Sequence, residues 1–404
     1  MSVLFMVIFS YGGHIMMKRN QLLLEVMKNI DIPPYMAKYA LDRYKAIYTY
    51  LAAHGLNVTF YPQGSFRQGT VVRPMQEESE SDFDLDAICE FLPDDNNSLT
   101  AKYVKQIVKD TLALDEVYKE KLTEESTNCW TLKYEGASND VGFRLDVLPA
   151  ANYSYLPESL RLRLSQSTEY TRLAIAITEK GIEGDYSWGF SNPKGFAAWF
   201  DKVNQPFLEA VSISQRESIY KTNLATFNSP EDVPVLLVRS SLQRVIQILK
   251  RHRRIYYCRR RVPEKEPSSF FLTVLAAEYS KSSNPLVDFY ELLEYVTRLA
   301  SNNFTTNSIS GGKLLSNPID LREDLLADWD KTKLELFIDW IKELRQDLIG
   351  SHELDLPSMI AIKNSLGKEP FERAVPEFKA PDKQISIASQ PWLDETNEWK
   401  LLRK

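Results

Sequence analysis

A chain of 404 residues is long for one hydrophobic core, so two domains are the default expectation. Its hydrophobic content of 44% and charged content of 26% are those of soluble globular proteins, and a net charge of −6 argues against wholesale coating of nucleic acid. Three scattered cysteines suit a reducing cytoplasm, and with four histidines and no CxxC or HExxH spacing a structural zinc site is not expected.

Met1–Phe9 is an apolar run broken only by Ser2. It lacks a basic leader and is roughly half the length of a spanning helix, so it reads as an over-long translation start rather than a targeting signal. Met16-Met17-Lys18-Arg19 then opens an ordinary amphipathic segment. Gln21–Met27 reads as a short helix stopped near Pro33-Pro34. A longer one over Tyr35–His54 carries Ala40, Tyr44, Ile47 and Leu51 on one face, with Gly55 as its cap. Val58–Tyr61 and Asp84–Phe91 read as strands, Leu99–Leu114 as a helix, and Cys129–Tyr134 and Val141–Leu148 as two further strands. Beyond about residue 200 helical patterns take over: Val233–Tyr257, Ser269–Tyr279, Leu286–Leu299, Arg322–Trp329 and Thr332–Leu348. The expected architecture is an α/β domain followed by an α-rich one. The boundaries we expect are an extension over 1–20, a core over 21–205, a helical domain over 206–371 and a loosely ordered tail over 372–404.

The stretch Tyr61–Phe91 carries most of the chemistry. Gly64-Ser65 makes a phosphate-sized turn: Gly64 lets backbone approach a ligand, Ser65 adds a hydroxyl beside amide donors, and Arg67 and Gln68 add further donors. Asp82, Asp84 and Asp86 follow at spacings of two. In an extended strand they share one face, with Phe83, Leu85, Ala87 and Cys89 on the other. A solvated strand edge accounts for Asp82, but Asp84 and Asp86 are embedded in apolar sequence, where paired carboxylates point to a hard divalent metal held together with substrate phosphates. Asp146 also sits in an apolar strand, FRLDVLP, and reads better as a third ligand than as an ion pair of Arg144.

A Gly-Ser turn, then D-x-D on the next strand, then a lone aspartate in a hydrophobic strand resembles the polymerase-β-like nucleotidyltransferase superfamily. More closely, YPQGSFRQGTVVRP with FDLDAICEF is similar to the bacterial cGAS/DncV-like nucleotidyltransferases (CD-NTases) of CBASS anti-phage defence. So are WGFSNPKGFAAW at 188–199, RVIQILKRHRRIY at 244–256 and NPIDLREDLLADW at 317–329, so the likeness runs from about residue 20 to 345. It implies a bilobal fold, a mixed-sheet core with a helical C-terminal domain completing a nucleotide cleft. It also implies two Mg²⁺ ions, with Mn²⁺ as an alternative, held by two acids of the D-x-D and by Asp146. The acids fit in either of two registers, Asp82/Asp84 or Asp84/Asp86; we favour the second. Lys250 is implied as a triphosphate contact, with Ser268 or Ser269 adding a hydroxyl. Trp188 and Tyr186 are candidates for base stacking or for ordinary packing.

These features point to joining of nucleoside triphosphates into a cyclic di- or trinucleotide second messenger. Template-independent addition to RNA ends is the alternative enzymatic reading, and a nucleotide-binding scaffold with a dead site the non-enzymatic one. Expected partners are the triphosphate substrates, a nucleic-acid or protein activator on the basic helix 244–261, and an effector reached through the product. No membrane is expected, and the expected location is the cytoplasm.

Overall fold

The computed structural model describes residues 18–375 apart from 74, 77–78, 81, 94–98, 136–141, 165–168, 234–236 and 306–313. The apolar run Met1–Phe9, the acidic pair Glu77-Glu78 and the tail beyond 375 lie outside the described residues.

Helix α1 (Arg19–Lys28) buries Leu22, Leu23, Val26 and Met27, the spacing that one helical face requires. Helix α2 (Pro34–Ala53) starts on a proline, whose missing N–H is harmless in the first turn. It ends before Gly55, whose φ of +84° is the left-handed stop that glycine adopts without a Cβ penalty. Strands β1 (Val58–Pro62) and β2 (Phe83–Phe91) pair antiparallel. Helices α3 (Ala101–Leu112) and α4 (Glu116–Lys121) and strand β3 (Trp130–Tyr134) cross over to β4 (Phe143–Asn152), and β5 (Ile175–Lys180) and β6 (Tyr186–Ser191) complete the sheet. The six-stranded sheet runs β1-β2-β4-β5-β6, with β3 alongside the first half of β4. Among the described residues only β2 and β4 pair in parallel, in register from Phe83 opposite Phe143 to Phe91 opposite Ala151.

Alternation decides the two faces of the sheet. Phe83, Leu85, Ala87, Phe143, Leu145, Val147, Trp130 and Leu132 pack with α2 and α3 in one core. The residues between them, Asp84, Asp86, Arg144, Asp146 and Thr131, must face the other way.

The remaining elements are α5 (Pro193–Glu209), α6 (Ser212–Thr222), α7 (Ser241–Arg259), α8 (Ser269–Ser280), α9 (Phe289–Asn303), the ribbon β7 (Ser316–Asn317) and β8 (Asp320–Asp324), α10 (Lys331–Leu348), α11 (Leu356–Leu366) and α12 (Lys368–Ala374). Their core gathers around α7, whose Leu242, Val245, Ile246 and Leu249 are fully buried. Two pieces of chain placed with the sheet by their sequence position pack here instead: α1, and α5 through Phe196, Trp199, Phe200 and Phe207. The apolar clusters therefore do not divide at residue 205. Helix α12 continues to Ala374, with Phe371 buried.

Three helix expectations are corrected. Arg322–Trp329 is not a helix: Asp320–Asp324 is a strand, and local polar bonds favour the ribbon. Asn317 Oδ1 accepts from the Ile319 N–H, and Asp320 takes both the backbone and the guanidinium of Arg322. The helix expected from Val233 begins at Ser241, because Ser240 and Gln243 form a reciprocal capping box there. The one expected from Leu286 begins at Phe289, after the Asp288 cap.

Candidate active site

The parallel register sets two polar rows across the sheet, on the face turned away from the core. In one, Thr131, Asp146 and Asp86 stand directly opposite one another on β3, β4 and β2; in the next, Lys133, Arg144 and Asp84 do so. Arg144 donates to Asp84 at 3.0 Å, and the Thr131 hydroxyl donates to Asp146 Oδ1 at 2.5 Å. Arg144 therefore pairs with Asp84, across the sheet, and not with Asp146 on its own strand. Burial first, then Asp146 and Asp84, push Asp86 up to about 7. Asp84 is raised too, chiefly by burial, although Arg144 opposes the shift. Asp82 does a different job: its Oδ1 accepts from the Gly142 N–H at 2.9 Å, tying together the starts of β2 and β4.

Gly64-Ser65 opens a single helical turn immediately after β1. Gly64 has φ +64°, and a Cβ there would stand 2.6 Å from Asp86 Oδ2, so only glycine lets the turn lie against the acids. The Gln63 N–H donates to the Asp86 carbonyl at 2.8 Å and fixes the turn to β2. Arg67 is held by both oxygens of Asp201 on α5, and Gln68 is buried.

Helix α7 forms the opposite wall. Its Gln243, Gln247 and Arg251 donate to the backbone carbonyls of Gln68, Val71 and Arg73 at 2.7, 2.7 and 2.8 Å. Between them, Lys250 Nζ lies 2.8 Å from Thr70 Oγ1. Burial, with Arg253 nearby, lowers Lys250 to about 7. Much of the basic run 244–261 is thus paired within the fold, while Arg254, Arg259 and Arg260 keep 40–50% of their side chains exposed. Arg244 pairs with Asp31, Arg253 and Arg254 with Glu266, and Arg259 and Arg260 with Glu343.

Between these walls lies a cleft of about 1070 Å³. It brings together Gly64, Ser65, Asp84, Asp86, Asp146 and Lys250, and also Asp82, Arg67, Gln68 and Ser269. Ser268 is not on its wall: that hydroxyl caps α8 by accepting from the Phe271 N–H. Trp188 and Tyr186 do not line it either. Trp188 packs on Tyr155, and Tyr186 hydrogen-bonds Glu125, so neither presents a face to the cleft. Besides Phe83, which packs into the sheet core, the aromatic residues on the wall are Phe190, Phe196 and Phe270, which the sequence reading missed. Phe190 shares strand parity with Trp188, so the strand could have suggested it. Arg253, Asn317 and Glu323 are also on the wall; their segments, 244–256 and 317–329, stand out by resemblance, but these residues do not.

Residues 58–146 match the family model of the cyclic GMP-AMP synthase DncV-like nucleotidyltransferase domain. That stretch carries the signature of a DncV-like nucleotidyltransferase domain. The matched span opens on β1 and closes on Asp146, so it contains the phosphate turn and both strands of the acid rows. The chain is 27% identical over 327 residues to a c-di-GMP synthase of Roseivirga ehrenbergii, covering 80% of this chain and 75% of that protein. It is 26% identical over 246 residues to the cyclic dinucleotide synthase CdnG of Bradyrhizobium diazoefficiens, covering 58% of this chain and 53% of that one. The solved structure of Bradyrhizobium diazoefficiens CdnG in complex with GTP shares the fold, with a TM-score of 0.64 at 20% identity over 89% of this chain and 98% of that one.

CD-NTases as a family are metal-dependent. Among the described residues no group of three or more His, Cys, Asp or Glu stands close enough to cage an ion as arranged here. Asp84 is turned onto Arg144, and Asp146 onto Thr131. The donor set nevertheless fits a hard divalent cation. Three carboxylates share a cleft wall; burial first, and then their mutual repulsion, raise Asp86 and Asp84, a cost that a bound cation would reverse. Among the described residues no helix is long and apolar enough to cross a membrane.

Proposed function

We propose that this CD-NTase condenses nucleoside triphosphates into a cyclic dinucleotide, releasing pyrophosphate, and that the product serves as a second messenger in anti-phage signalling. The observation that carries the chemistry is the register of β2 on β4, which sets Asp84, Asp86 and Asp146 together beside the Gly64 turn. Ser65, Lys250 and Ser269 line the same cleft as donors for a triphosphate. Asp84, Asp86 and Asp146 would hold two Mg²⁺, which supply charge neutralisation at the transferring phosphoryl group. The ribose hydroxyl of one nucleotide attacks the α-phosphorus of the other, and its proton passes to Asp146. The bond to pyrophosphate breaks while Lys250 offsets the charge that leaves. A second transfer between the same two nucleotides closes the ring. The chain contributes orientation and fixed charge, not a covalent intermediate.

The names of both relatives, c-di-GMP synthase and cyclic dinucleotide synthase, favour a dinucleotide, and the first favours guanine as one of its bases. Addition to RNA ends loses support because the basic run that would hold an RNA acceptor is paired within the fold. A nucleic-acid or protein activator would dock on the exposed end of that run, around Arg254, Arg259 and Arg260. The cytoplasm, where the triphosphates are, is the location this reading requires. The test is to incubate the pure chain with four α-labelled triphosphates and Mg²⁺, treat with phosphatase and take the mass of what survives. A resistant product of cyclic dinucleotide mass supports the reading; extended RNA or no turnover overturns it.

A further inference from the structure

Thr131 is not part of the acid motif, yet its hydroxyl bonds one of the acids directly. Strand β3 turns Trp130, Leu132 and Tyr134 into the core, which leaves Thr131 on the face of the acids. The antiparallel register places it directly opposite Asp146, and the parallel register places Asp86 on the other side of Asp146. Its hydroxyl is 2.5 Å from Asp146 Oδ1. A carboxylate on a strand has two free side-chain torsions, and one strong donor fixes which oxygen faces outward.

A second contact limits the rotamer of the threonine itself. Cys129 Sγ lies 3.9 Å from Thr131 Oγ1 and 2.9 Å from Ser126 Oγ, so a thiol and a serine back the hydroxyl. A threonine on a strand is ordinary. One whose hydroxyl engages the middle member of a carboxylate row is not needed to hold a sheet together.

We propose that Thr131 is a positioning residue for Asp146: its hydroxyl holds Oδ1 so that Oδ2 is presented to the divalent cation and the attacking hydroxyl. This rests on the nucleotidyltransferase reading above but not on which product is made.

The test is a donor series at one position, Thr131→Ser, Thr131→Cys and Thr131→Val, each checked for a wild-type circular dichroism spectrum. Mn²⁺ affinity is read by electron paramagnetic resonance without nucleotide, and kcat and KM are read on triphosphates. Thr131→Val should lower kcat about tenfold and weaken Mn²⁺ by a similar factor, with KM nearly unchanged. Thr131→Ser should restore both, and Thr131→Cys should fall between. If Thr131→Val does not fold, the Ser and Cys variants still decide by their order. Wild-type kcat and Mn²⁺ affinity in Thr131→Val, or no advantage of Ser over Cys, would overturn the assignment. If the wild type makes no cyclic product but Mn²⁺ affinity still follows the series, the product reading fails while the role of Thr131 stands.

Discussion

Burial beside Asp146 and Asp84 pushes Asp86 up to about 7, against about 3.9 for an ordinary aspartate. Between about pH 4 and 7 the folded chain therefore keeps a proton that the unfolded chain has released. The stability this group contributes is fully present below about pH 4 and is lost as pH rises through 7. In EDTA, thermal midpoints should fall from pH 5 to pH 8, and Asp86→Asn should flatten that fall. The same variant should make product at less than about one-hundredth of the wild-type rate. A steep fall surviving in Asp86→Asn would show that another group is responsible. Lys250 works in the opposite sense. Lowered to about 7, it is mostly neutral at pH 8, and an arriving polyanion raises it again. Triphosphate binding at pH 8 should then take up a proton, seen by titration calorimetry in two buffers of different ionisation enthalpy. Lys250→Met should abolish that uptake.

At the scale of elements, α7 holds the segment after the phosphate turn through side chains spaced along one face, Gln243, Gln247, Lys250 and Arg251. Gln247 bridges two acceptors, the Val71 carbonyl and Asp31. Gln247→Leu should cost about 1–3 kcal/mol in denaturant melts, because the carbonyl of buried Val71 loses its donor while Asp31 keeps Arg244. It should also raise KM for triphosphate, since the turn loses its far support. Elements of this kind explain what the sequence could and could not show. Strands β1, β2 and β3 were legible to within a residue or two, because alternation with apolar neighbours is a local signal. The acids were legible for the same reason, being charged residues embedded in apolar strands. The pairing of Arg144 with Asp84, the bond from Thr131 to Asp146 and the burial of α7 were not, since each depends on strand register or on lobe packing. Ser268 and Ser269 are alike as sequence; only the cap of α8 tells them apart. Arg322–Trp329 misled because its helical periodicity is weaker than the polar bonds that build the ribbon.

At the scale of the molecule, Arg67 on the phosphate turn is bound by Asp201 on α5, so sheet and helical lobe meet across an ion pair at the edge of the cleft. Both partners are more than a third exposed, and such a pair contributes little to stability, of the order of 0–1 kcal/mol. Its larger effect is on substrate, because Asp201 competes with phosphate for the guanidinium. Asp201→Asn should leave the thermal midpoint within a few degrees of wild type and lower KM for triphosphate. A raised KM would mean that the pair aids binding.

The contacts between α7 and residues 68–73 also bear on how the chain comes to be folded. They join positions 175 to 180 apart in sequence, so the carbonyls of that segment are synthesised long before the donors that satisfy them. During synthesis the sheet emerges first and waits with those carbonyls wet, and its phosphate turn is free on the α7 side. A fragment ending near residue 205 would remain in that state, without the helix that braces its turn and with the apolar side of α1 uncovered. The two lobes can be named separately, but they cannot be cut apart or exchanged as modules.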